Sequence, residues 1–150
     1  MLEEYIEKNG LLLQQFCRGW EDAIEKGAAP LLAANSIDRK YIEAIKKNHK
    51  EIGPYMVIAP GIMLSHARPE CGAKKLGLTI MTLSKPIVFG HTLNDPVDLI
   101  FTLATPDENS HLKMLEDLMG FMMKEDLLAE LQSVKTPVEA LAIIKRSEEK

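Results

Sequence analysis

Two cysteines, Cys17 and Cys71, are all the thiol in this chain, and they form neither a Cys-x-x-Cys pair nor a disulfide framework. Thiols used so sparingly point to a reducing, cytoplasmic setting. Long apolar runs are missing too. No segment approaches the ~18 consecutive apolar residues needed to cross a bilayer, so direct membrane insertion is not expected. The opening Met1-Leu2-Glu3-Glu4-Tyr5 is acidic where a secretory signal is basic and then apolar. Positive charge is in deficit, with 18 Lys and Arg against 22 Asp and Glu, a net charge of −4. No basic run interleaved with aromatics appears, which argues against nucleic acid as a partner. Internal repeats, low-complexity tracts and linkers are absent as well. What is present, 150 residues of which 46% are hydrophobic, suits a single domain over residues 1–150 with a substantial core.

The pattern predicts a short N-terminal helix, then a first strand over Leu11–Cys17. Trp20, Ala23, Ile24 and Leu31 recur at helical spacing, although Gly27 and Pro30 weaken that helix in its middle. Ser36 or Asp38 is placed to cap a second helix with a stripe of Tyr41, Ile42 and Ile45, ended by Gly53-Pro54. Strand-like runs follow at Tyr55–Ala59, Ile62–Ser65, Leu76–Leu83, Ile87–Phe89 and Val97–Thr105, with turns at Gly61, Gly72-Ala73, Lys85-Pro86 and Asn94-Asp95-Pro96. After residue 106 the period becomes helical, with Leu112, Leu115, Leu118, Met119 and Met122 on one face. Met114, Met119, Met122 and Met123 read as a packing stripe. A shorter helix is predicted over Asp126–Gln132. Thr136-Pro137-Val138-Glu139 is a capping box with Pro at the first helical position, opening a last helix to Ser147. Helices at both ends and strands between predict an α/β fold, a mixed, roughly five-stranded sheet flanked by helices on both faces.

The chemistry-bearing residues cluster around the histidines. His66 ends the apolar run Ile62-Met63-Leu64-Ser65 and is followed by Ala67-Arg68-Pro69-Glu70, a strand delivering an imidazole to a loop with a cation beside it. Neutral imidazole, with an ordinary pKa of ~6.5, offers a lone pair for attack on phosphorus. The phosphohistidine so formed is reactive, because the nitrogen leaves readily once the ring is protonated. His111 follows Pro106-Asp107-Glu108-Asn109-Ser110, where a helix begins and unpaired N–H groups favour an anion. From there it can hydrogen-bond a phosphoryl oxygen. Arg68 can neutralise phosphoryl charge in a loose transition state. His91, in a turn after a strand, is expected at the same rim, whereas His49, after Lys46-Lys47-Asn48, reads as a solvated helix face. Each also has a structural reading, a strand-capping imidazole for His66 and a polar first-turn residue for His111.

These blocks together resemble the IIA components of the bacterial phosphoenolpyruvate-dependent sugar phosphotransferase system (PTS) in the mannitol–fructose class, nearest its ascorbate-type branch. The resemblance rests on Gly53-Pro54-Tyr55 with Ala59-Pro60-Gly61, His66 with Arg68-Pro69-Glu70, Asn94-Asp95-Pro96-Val97, and Asn109-Ser110-His111. It implies a phosphocarrier without a cofactor. His66 would take the phosphoryl group from the phosphorylated histidine phosphocarrier protein, HPr, as a tele-phosphohistidine. The group would then pass to a cysteine of a IIB component, with the membrane IIC component engaged indirectly. His111 matches the family's second, assisting histidine, and Arg68 and His91 match positions typical of the ascorbate branch. The family usually has Pro before the active histidine and Gly after it, where this chain has Ser65 and Ala67. The serine hydroxyl is thereby expected to meet the phosphoryl group. An arginine that other members carry on the preceding helix has no clear counterpart here, Lys50 being the nearest cation.

Three other readings compete. A regulatory, phosphoryl-accepting module that binds proteins would share the fold. Zinc could be held by His66, Cys71, His91 and His111, but their spacings form no short ligand repeats, so no metal site is expected. A Cys71–His66 hydrolase would need an oxyanion-hole motif that is not evident.

Overall fold

A strand that is apolar on both faces has to be covered on both faces. Leu99, Ile100, Phe101, Thr102, Leu103 and Ala104 are consecutive and all buried, so this stretch belongs at the centre of a covered sheet. The computed structural model, which describes residues 2–148, places it there. The strands are β1 (Ile6–Gln15), β2 (Val57–Ala59), β3 (Ile62–Ser65), β4 (Gly77–Ile87) and β5 (Val97–Ala104). The helices are α1 (Trp20–Ala33), α2 (Arg39–Ile52), α3 (Glu108–Met122), α4 (Glu125–Ser133) and α5 (Pro137–Ser147). The strands form one mixed five-stranded sheet, as the sequence predicts, and its strand order is β1-β4-β5-β3-β2. β1 with β4 and β3 with β5 are parallel; β4 with β5 and β2 with β3 are antiparallel.

Strand alternation divides the core in two. Met63, Met81 and Ile100 pack with Ile24 and Leu31 of α1 and with Tyr41, Ile42 and Ile45 of α2. Leu64, Ile80 and Phe101 pack with Met114, Leu118 and Phe121 of α3, Leu131 of α4 and Ile143 and Ile144 of α5. Each such side chain contributes roughly 1.5–3 kcal/mol on full burial. Among the described residues no helix is long and apolar enough to cross a membrane.

The structure departs from the predicted elements at places with identifiable causes. β1 begins at Ile6 rather than Leu11. Ile6 faces Leu78 while Leu11 already faces Ile80, so the polar Glu7–Gly10 bulges from the ladder and hides the strand's first half. α1 runs unbroken through Gly27 and Pro30. Glycine suits position 27 because the helix touches the sheet there: Thr79 Oγ1 donates to the Gly27 carbonyl at 2.5 Å. A Cβ on Gly27 would sit 2.8 Å from Thr102 Oγ1. Lys85-Pro86 is not a turn but an irregular, exposed stretch within β4, beyond its last pairing with β1. Thr136 caps α5 as expected, its Oγ1 accepting from the Glu139 amide at 3.3 Å, while its hydroxyl donates to the Glu139 carboxylate at 2.8 Å.

Two helix faces need correction. His49 is not solvated but 6% exposed, its ring 4.5 Å from that of Trp20 and 5.4 Å from that of Phe89. Tyr41, Ile45 and His49 are four apart, so His49 continues the apolar stripe of α2. On α3 the buried stripe is Met114, Leu118 and Phe121, whereas Met119 and Leu112 are more than half exposed and Met123 is 80% exposed.

Burial holds the His49 imidazole below its ordinary pKa, against a hydrogen bond to the Phe89 backbone and the field of Asp95. The sign follows from linkage: below ~6.5 the unfolded chain binds a proton that the folded chain refuses, so stability falls as pH drops through that value. Urea unfolding between pH 8 and 5 should show this fall, and His49→Leu should make it shallower. A slope unchanged by the substitution would rule out the buried neutral imidazole. Gly27→Ala should destabilise the fold by about 1–3 kcal/mol in the same assay, through overpacking against Thr102.

Candidate functional site

β3 and β5 run parallel in the register Leu64 to Phe101 and Ser65 to Thr102, so the two strands leave the sheet side by side. His66 is the first residue beyond β3. Beyond β5 come Thr105, Pro106 and α3, which carries His111 in its first turns. The two imidazoles meet at the sheet edge, ring centroids 5.6 Å apart and planes inclined by 38°.

His66 is held by its own strand. Its Nδ1 lies 2.9 Å from the Leu64 carbonyl. A carbonyl oxygen can only accept, so Nδ1 carries the hydrogen and Nε2 is left with the lone pair. Burial lowers the pKa of this ring; the Leu64 bond opposes that, and His111 adds to it. The result is a neutral, oriented imidazole. His111 points inward because residues 111, 114, 118 and 121 form one helical stripe, the last three packed on the sheet. Phe121 stacks edge-on against Phe101 of β5 at 6.4 Å and anchors α3 to the strand it follows. Thr105 Oγ1 is 3.2 Å from His111 Nδ1 and fixes the ring. Asp107 caps α3, its carboxylate accepting from the Ser110 amide at 2.8 Å.

Both rings line an open cleft of about 1120 Å³. One wall is α2 and the segment after it, with Asn48, Ile52 and Tyr55; the rim carries Arg68, Cys71 and the carboxylates of Glu70, Asp107 and Glu108. Ile52 is 69% and Tyr55 46% exposed, so apolar surface faces solvent beside the imidazoles. Arg68 is the one guanidinium or ammonium among the cleft-lining residues. Lys50 is exposed and not among them.

Two expected members are elsewhere. Ser65 is fully buried, since alternation along β3 turns it to the side of Met63, away from the cleft. His91 lies in the loop between β4 and β5, at the opposite end of the strands; at ~3.3 Å per residue, β5 puts about 20 Å between that loop and His66. There His91 Nδ1 accepts from the Asn94 and Leu93 amides at 3.1 and 3.3 Å and shapes a turn. The zinc set of His66, Cys71, His91 and His111 is therefore not assembled. Thr105 and Asp107 escaped the sequence reading, although a Thr and an Asp flanking a helix start are a capping signal.

Comparison with known proteins places the chain in a family. Residues 4–147 match the family described as phosphoenolpyruvate-dependent sugar phosphotransferase system, EIIA 2. The chain is 37% identical over 142 residues to the ascorbate-specific PTS system EIIA component of Salmonella typhi, covering 94% of this chain and 92% of the relative. The chain belongs to the EIIA type 2 family. Its members are phosphotransferase proteins. The solution structure of the mannitol-specific cryptic phosphotransferase enzyme IIA CmtB from Escherichia coli superposes with a TM-score of 0.89 at 31% identity, over 97% of this chain and 98% of that one. The same fold, at 17% identity and a TM-score of 0.81 over 94% of this chain and 97% of that one, occurs in the complex of mannitol enzyme IIA with phosphorylated enzyme IIB from Escherichia coli.

In this EIIA chain Ala67 replaces the usual Gly without strain, because its φ is not positive. Ser65 Oγ, like Thr102 Oγ1 opposite it in the parallel register, is buried without a hydrogen-bond partner among the described residues. The site geometry is directly testable by nitrogen NMR. His66 should appear as the Nδ1–H tautomer and titrate below ~6.5, and His111→Asn should move that midpoint upward. An Nε2–H tautomer at His66 would overturn the assignment of its lone pair.

Proposed function

We propose that this chain is a phosphocarrier of an ascorbate-type phosphotransferase system, with His66 Nε2 as the phosphoryl acceptor. The observation that carries the reading is the Leu64 carbonyl on His66 Nδ1 at 2.9 Å, which leaves Nε2 free beside the His111 ring. In the first step Nε2 attacks phosphorus of phospho-HPr. The bond from phosphorus to the HPr histidine breaks as the new P–Nε2 bond forms, and the Leu64 carbonyl holds the proton on Nδ1 throughout. With Thr105 Oγ1 donating to its Nδ1, His111 presents Nε2–H to a phosphoryl oxygen, and Arg68 adds positive charge from the rim. In the second step a cysteine thiolate of the IIB component attacks phosphorus, the P–Nε2 bond breaks, and neutral His66 returns. The membrane IIC component is met only through IIB.

The same geometry favours onward transfer of the group. Glu70, Asp107 and Glu108 border the cleft and oppose a dianionic phosphoryl group, so the site holds it without a deep minimum. Ascorbate is the favoured sugar, since the 37% identical relative is an ascorbate-specific component. A cytoplasmic location follows from exchange with HPr and IIB.

The test is phosphorylation of the purified chain by phosphoenolpyruvate, enzyme I and HPr, followed by chase onto an ascorbate-type IIB. Wild type should be labelled and lose the label to IIB; His66→Ala should accept none. His111→Ala should remain an acceptor with transfer slowed about 100-fold, the size typical of losing one stabilising donor. Label surviving on folded His66→Ala would refute the acceptor assignment. Label that forms but never moves to IIB would favour the regulatory module.

A further inference from the structure

His66 and His111 sit on different segments, so their relation depends on what ties the loop after β3 to the end of β5. One side chain of α2 does both. Tyr41 is 1% exposed, and its hydroxyl lies 2.7 Å from the Leu103 carbonyl and 3.1 Å from the Ala67 amide nitrogen. It donates to Leu103 and accepts from Ala67, whose carbonyl is also within 3.1 Å. Ala67 directly follows His66. Leu103 lies two residues before Thr105, whose hydroxyl holds the His111 ring. A single oxygen thus joins the backbones behind both imidazoles.

The start of α2 is a seat for the same loop. The Asp38 amide donates to the Gly72 carbonyl at 2.8 Å. Gly72 has φ +130°, and a Cβ there would come within 3.1 Å of Lys40 Cγ and 3.3 Å of Tyr41 Cβ, so the loop lies directly on this turn. Burial raises the Tyr41 phenol to about 12, which keeps its hydrogen at any working pH. Tyr41 itself does not line the cleft.

We infer that Tyr41 is the positioning residue of the site, its hydroxyl setting the separation of His66 and His111 by fixing Ala67 and Leu103 to one point. The kinetic part rests on His66 being the phosphoryl acceptor; the geometric part does not. A tyrosine that merely filled the core would affect stability alone. A positioning tyrosine also changes the environment of His66, because an untied loop exposes more of a ring that is now partly buried at the cleft.

Tyr41→Phe keeps the ring and removes the oxygen. The NMR titration midpoint of His66 should rise toward ~6.5. The kcat for transfer from phospho-HPr should fall on the order of 10-fold or more, with KM within about twofold, since small misplacements cost rate rather than binding. Tyr5→Phe is the control. It removes a hydroxyl that donates to Asp117 Oδ2 at 2.7 Å away from the cleft, and it should leave midpoint and kcat unchanged. A Tyr41→Phe variant that loses thermal stability but keeps both values at wild type overturns the inference. If that variant does not fold, hydrogen exchange of the wild-type Ala67 amide decides: protection far above that of the neighbouring Arg68 amide supports the tie, and loop-like exchange removes it. If wild type accepts no phosphoryl group, the acceptor reading falls, while the His66 midpoint in Tyr41→Phe still decides the geometry.

Discussion

The parallel pairing of β3 with β5 is the interaction on which the site depends. Its register sends the chain out of the sheet twice at one edge, once into His66 and once toward His111. Residues of both strands are buried on both faces, so a slip of one residue would exchange the two half-cores and bury the wrong side chains throughout. The register that the core demands is thus the register that brings the imidazoles within 5.6 Å. Stability and site geometry are coupled through one ladder.

Around that ladder the molecule accepts local costs. Ser65 Oγ and Thr102 Oγ1 are buried without partners, and each such group costs about 1–3 kcal/mol. Two imidazoles, His49 and His66, are held below their ordinary pKa by burial. At the cleft Ile52 and Tyr55 stay open to solvent instead of joining the core. On the proposed function, such an unfinished surface is what partner proteins would dock against. The two covered faces of the sheet offset these costs.

Much of the fold was legible in the pattern of residues. The strand-rich middle, the switch to helical period after residue 106 and the capping box at Thr136 are local signals, and local signals survive folding. The misreadings share one cause, which is that exposure is not a local property. His49 looks polar by type but continues the stripe of Tyr41 and Ile45. Met119 on α3 and Met123 just beyond it look apolar by type but face outward. Gly27 and Pro30 weaken an isolated helix, yet Gly27 is what lets α1 reach Thr79 and Thr102.

The site divides in the same way. A histidine at the end of an apolar run, a cation two residues on and a histidine at a helix start are written in order along the chain, and they named His66, Arg68 and His111 with the family to which they belong. Which of them meet was decided only in three dimensions. Parallel strands put His66 beside His111, while the reversal from β4 to β5 carries His91 about 20 Å away, and strand alternation turns Ser65 inward. The tautomer of His66 and the tie through Tyr41 belong to tertiary structure as well. Residue type and spacing determine which chemistry is available; the pairing of distant segments determines which groups share a cleft, because only backbone register sets distances between residues far apart in sequence.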